Sequence, residues 1–118
     1  MNLIDRIIEL ATAIGTDVKT INSSLLSVVP DAVDASFTAG VNTSVYLPPA
    51  TLTANRTITI PAGTNGDIIE FYNNEAGFVW QLGGGGVYLS DNITVITFLY
   101  ANTNYIIKKI SGKWRVVN

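Results

Sequence analysis

The sequence contains no cysteine and no histidine. Disulfides, Cys-based zinc sites and any catalysis that needs a thiolate or an imidazole are therefore excluded. Charge is also scarce, at 14% of 118 residues. So little charge is unusual for a small soluble monomer and points to surface covered by partners. Seven Lys and Arg against nine Asp and Glu leave a net charge of −2. No Lys/Arg cluster stands out, so no nucleic acid partner is expected. No apolar run approaches the ~20 residues that cross a bilayer, so no membrane insertion is expected. Asp5, Arg6 and Glu9 interrupt the apolar N-terminus and no basic segment precedes it, unlike a signal peptide.

What the chain does have is apolar mass, 47% of its residues. That is enough for one core plus a short extension. The pattern divides at Pro30, giving an expected helical segment over residues 1–30 and an all-β head over residues 31–118.

In the first part, apolar residues fall at Ile4, Ile7, Ala11, Ile14, Val18, Ile21, Leu25 and Val28. They recur alternately three and four residues apart, a heptad register that predicts a helix over residues 3–28. Asn2 is placed to cap its first turn, and Pro30 to stop it. β-branched residues dominate the stripe, which favours three or four helices over two. The expectation is an N-terminal α-helical coiled coil that forms a homotrimer, with those eight residues as its seam. The competing reading is an amphipathic helix packed on its own β domain. Leu3, Ile8 and Leu10 widen the apolar face in the first half only, and are candidates for docking onto another protein.

After Asp31 the period becomes two, with Thr, Val, Ile, Tyr and Asn dominant. Strands are expected at residues 36–38, 44–47, 57–60, 68–72, 79–82, 87–89, 94–99, 105–110 and 114–117. Turns are expected at Pro48-Pro49, Pro61 to Gly63, Asn73-Asn74, Gly83 to Gly86, Asn102-Thr103 and Ser111-Gly112. Many short strands between turn signals predict a β-sandwich or small barrel.

The run Leu52-Thr53-Ala54-Asn55-Arg56-Thr57-Ile58-Thr59-Ile60-Pro61-Ala62-Gly63 resembles a phrase of bacteriophage fibre and spike domains. It continues through Asn65-Gly66-Asp67-Ile68-Ile69-Glu70-Phe71-Tyr72-Asn73-Asn74. The final Gly112-Lys113-Trp114-Arg115-Val116-Val117 resembles the closing strand of such modules. The resemblance covers roughly residues 50–118. It implies a structural virion protein, a fibre, spike or decoration protein of a phage capsid or tail, assembled in the host cytoplasm. The expected partners are further copies of itself, other virion proteins through the N-terminal helix, and a host-surface glycan. The alternative is a carbohydrate-binding module or trimeric adhesin of a bacterial surface.

Catalytic signals are weak. The glycine run lacks the Lys-Ser/Thr of a phosphate loop and reads as a flexible connection. Asp67, Glu70, Glu75 and Asp91 could supply a carboxylate pair for glycoside hydrolysis, but their spacing favours solvated turn and strand positions. Asp91 and Asn92 could offer oxygens to calcium, without supporting spacing. Trp80, Trp114, Tyr72, Tyr88, Tyr100 and Tyr105 could form a sugar-stacking platform, though core or subunit-interface positions suit most of them better. No enzymatic turnover, cofactor or metal is expected, and no glycan-binding residue is singled out.

Overall fold

Asn2 accepts the backbone N–H of Asp5 through its side-chain oxygen at 2.9 Å. This is the cap that opens helix α1, Leu3–Ser24. The computed structural model describes residues 2–24 and 26–118, and within the helix the side chains up to residue 13. Over that stretch every side chain faces solvent, including Leu3, Ile4, Ile7, Ile8 and Leu10 at 58–71% exposure. No strand packs closely against the described part of α1.

The expected coiled coil followed by a sandwich or barrel is corrected on both counts. No coiled coil is seen. The chain is mostly β, in a solenoid-like arrangement. The helix ends at Ser24, and Val28, expected on a helical seam, lies in a strand and is 87% exposed. The side chains of the seam positions Ile14, Val18 and Ile21, and Leu25 entirely, lie outside the described residues.

The strands are β1 (Ser27–Val28), β2 (Phe37–Thr38), β3 (Thr43–Leu47), β4 (Arg56–Ile60), β5 (Ile68–Asn73) and β6 (Trp80–Gly84). They are followed by β7 (Val87–Tyr88), β8 (Val95–Ile96), β9 (Phe98–Leu99), β10 (Thr103–Ile110) and β11 (Lys113–Val116). The first six alternate between two sheets, odd strands in one and even strands in the other. Neighbours within each sheet run parallel, with Thr43 beside Ile69 and Ile58 beside Leu82. The chain therefore winds in successive coils, each contributing one strand to each sheet. The turns expected at Pro48-Pro49, Pro61 to Gly63 and Asn73-Asn74 are corners between the two sheets.

The last strands close the winding. β10 runs antiparallel to β5, β11 to β10, and β9 to β6, while β7 joins β11 in parallel. The first sheet has the order β1-β3-β5-β10-β11-β7-β8, and the second β2-β4-β6-β9. The single run expected over residues 94–99 is two strands. Its corner at Thr97 carries the chain from the first sheet to the second and accepts the N–H of Leu82 at 2.8 Å.

Alternation places Val45, Leu47, Ile58, Ile60, Ile69 and Phe71 inside. With Trp80, Leu99, Ile107 and Trp114 they form one core between the sheets. Phe37 meets the Trp80 ring edge-on, at 5.5 Å between centroids. Asparagines staple one coil to the next. Asn42 accepts the N–H of Ile68 and donates to the Asp67 carboxylate, while Asn55 accepts the N–H of Val79.

The glycine run is corrected too. Gly83 and Gly84 lie within β6, and Gly84 has φ +97°. A Cβ on Gly84 would stand 2.5 Å from the Ile60 carbonyl oxygen. Gly83 and Gly84 let β6 approach β4, and only Gly85 and Gly86 form the connection to β7.

Candidate interaction surfaces

The acidic residues singled out from the sequence are separated and individually engaged. Glu75 is 1% exposed. One of its oxygens accepts the N–H groups of Thr51 and Leu52, and the other those of Ala76 and Gly77. Burial pushes its pKa up, but the N–H groups of Gly77, Leu52, Thr51 and Phe78 outweigh that and hold it below the usual value. Asp67 caps its turn through Thr64 and is held low by the Thr64 N–H. Asp91 caps the β7–β8 turn through Ile93 and Thr94, and its pKa is lowered first by the Thr94 hydroxyl. Glu70 accepts from Ser44 and faces Tyr72, whose phenol it pushes up. Each carboxylate is committed to a local structural bond. Among the described residues, no three of His, Cys, Asp and Glu stand close enough to hold a metal ion.

The aromatic residues do not share one plane. Trp80, Trp114 and Tyr105 are buried, while Tyr72 and Tyr100 are exposed. The Trp114 indole donates to the Pro61 carbonyl at 2.8 Å, and the Tyr105 hydroxyl accepts from the Tyr100 N–H at 3.0 Å. These are core and anchor roles, so the single platform is not formed.

Two surfaces remain distinctive. The first is the outer face of the second sheet. Strand register aligns Thr38 with Thr59 and Gly83 in one row, and Thr57 with Gln81 and Phe98 in the next. None of these six outward positions is charged. Asn55, Val79, Gln81, Thr97 and Phe98 line a shallow hollow on this face.

The second is a basin of about 470 Å³ at the β10–β11 hairpin. Its walls include Ile60, Pro61, Tyr88, Lys109, Lys113 and Trp114. The Lys113 ammonium lies 4.8 Å from the Tyr88 ring centroid, and that of Lys109 lies 5.8 Å from Trp114. Both are cation–π contacts. Across the hairpin Lys108 stands directly opposite Arg115, which is beside Tyr88 in register. Sequence reasoning missed this group. Four cations spread over eight residues form no obvious run, and only the hairpin pairing and the β7 neighbour assemble them.

Among the described residues, no helix is long and apolar enough to cross a membrane. No family model matches the chain, and no curated protein is found similar to it.

Proposed function

We propose that this chain is a structural, non-catalytic protein of a virion appendage, a phage fibre, spike or decoration protein that works by assembly and surface contact. The observation that carries the reading is the uncharged outer face of the second sheet. Desolvating a charge at an interface is costly, and Thr38, Thr57, Thr59 and Gln81 present none. Phe98, 37% exposed, and Val79 supply apolar contact at the edge of the same face. A flat face of this kind suits repetition of the same chain. In this reading the expected homotrimer is built through the β body.

The exposed Leu3, Ile4, Ile7, Ile8 and Leu10 support a second contact, with another virion protein that offers an apolar groove. Each would stabilise docking by about 1.5–3 kcal/mol if fully buried. The helix is the attaching end, and the β body, a helix length of ~33 Å away, is distal. The place of action is the particle, assembled in the host cytoplasm. Local engagement of each candidate carboxylate supports the non-catalytic part of the reading.

The test is the mass in solution of the full chain and of Gln81→Lys. A multimer that Gln81→Lys converts to monomer at micromolar concentration supports the reading. A wild-type chain that is monomeric at tens of micromolar overturns the assembly part. Imaging intact particles with a label at Asn118 tests the placement, and a label against the particle wall reverses the polarity.

A further inference from the structure

All nine acidic residues and three of the seven cations precede residue 92, so that part carries −6. The last 27 residues carry no acid and four cations, Lys108, Lys109, Lys113 and Arg115. The chain is acidic with one basic corner, and the hairpin pairing concentrates that corner around the basin beside Tyr88.

The cations there have no ion-pair partner among the described residues. Among the described residues the one ion pair is Arg56 with Asp34, which lies in the first two coils. Lys108 and Arg115 face each other as like charges, an arrangement that disfavours the hairpin unless an anion offsets it. Arg115 lies next to the basin lining, and among the described residues its buried Nε has no hydrogen-bond partner. Asp67, whose backbone pairs with Lys109, turns its carboxylate to Thr64 and Asn42 instead.

We propose that the basin formed by Tyr88, Lys109, Lys113 and Trp114, with Lys108 and Arg115 beside it, binds an acidic saccharide. The shared chemistry is an anionic group on a sugar ring, either a hexuronate carboxylate or a sugar phosphate. The inference rests on the reading of the chain as a surface-binding, non-catalytic component. Its volume of about 470 Å³ falls within the range of small-ligand pockets, ~300–1,000 Å³. Gly85 and Gly86 in its lining present no side chain to a ligand, and Ile60 and Pro61 supply apolar surface for ring C–H groups. The contact with Tyr88 holds the Lys113 ammonium at the basin wall. A long polyanion such as nucleic acid fits less well. It would run from the basic corner onto the rest of the chain, which carries −6, where the field opposes it.

The experiment titrates the full chain with an oligogalacturonate, a phosphorylated oligosaccharide, a neutral maltooligosaccharide and single-stranded DNA of matched charge. Trp114 fluorescence and backbone amide NMR shifts provide the readouts. Expected is micromolar to millimolar binding of at least one acidic saccharide, weakened about tenfold by Lys113→Gln and by added salt. Shifts should centre on Tyr88, Lys113 and Arg115. Whichever acidic probe binds identifies the source of the anion. Equal or tighter binding of DNA, binding of the neutral sugar alone, or binding unchanged in Lys113→Gln overturns the proposal. So does the absence of binding by both acidic probes. The solution mass of Lys113→Gln is measured alongside. It stays that of the wild type if assembly and ligand binding use different faces, so failure of this site is distinguishable from failure of the assembly reading.

Discussion

The Glu75 carboxylate accepts the Thr51 N–H at 2.9 Å, joining the corner after β3 to the corner after β5. With Leu52, Ala76 and Gly77 it closes a ring of backbone donors around one buried charge. Among the described residues those donors have no other partner to turn to if the carboxylate is removed.

Glu75→Ala should therefore destabilise the fold by about 2–4 kcal/mol, since it leaves one buried and three partly buried N–H groups unpaired. Glu75→Gln should rescue little, because its amide turns a donor toward donors. Denaturant unfolding checks both. A loss below about 1 kcal/mol in Glu75→Ala would mean that water replaces the carboxylate and that the corner is not held by it.

Acid should act in a defined window. Asp34 accepts from the Thr53 hydroxyl and from Arg56, and these hold its pKa down to about 2. Asp67, Asp91 and Glu75 are lowered as well. A folded-state pKa below the unfolded one contributes stability that is fully present above the unfolded value and is lost as pH falls through the folded one. With no histidine, no side chain has an ordinary pKa near 6.5. Tm should be level from pH 7 to about 5 and fall from about 4 toward 2. Asp34→Asn should remove part of the lowest step. A drop in Tm between pH 7 and 5 would contradict this account.

Two adjacent glycines should respond oppositely. Gly84→Ala puts a methyl 2.5 Å from the Ile60 carbonyl oxygen, at φ +97°, and should cost about 2 kcal/mol or more. At Gly85 a Cβ meets nothing within 4 Å, so Gly85→Ala should stay within about 0.5 kcal/mol. Equal tolerance at both positions would show that β6 shifts away from β4 easily.

Strand positions were legible because alternation reports which face is buried. The expected strands over residues 57–60 and 68–72 coincide with β4 and β5, and the expected Asn2 cap is formed. Strand partners were not legible. A Pro-Pro or Asn-Asn signal records that the chain bends, and the same residues serve a hairpin or a corner between sheets. Heptad spacing likewise records an apolar stripe and not its cover, so Ile4 and Ile7 pointed to a coiled coil that is not seen. Val28 fitted the stripe by spacing alone, while its backbone pairs with Ser44 on β3. The basic corner escaped notice for a related reason. Lys108 and Arg115 are seven residues apart in sequence and neighbours only across the hairpin.

The final prediction concerns the helix. α1 has no strand packed closely against its described part, and its described side chains face solvent. Its contribution to the stability of the β body should then be small, because fixing an exposed segment gains no buried area to offset its ordering entropy. A chain beginning at Leu26 keeps every strand and the whole core cluster. Its Tm should lie within about 3 °C of the full chain, less than the shift expected from 1 kcal/mol in a domain of this size. Loss of the cooperative transition would show that the helix covers the β body in solution. The same truncated chain separates the two proposed contacts. If it remains a multimer and no longer joins the particle, the sheet carries assembly and the helix carries attachment. If it becomes a monomer with Tm unchanged, assembly belongs to the helix and the uncharged sheet face has another role.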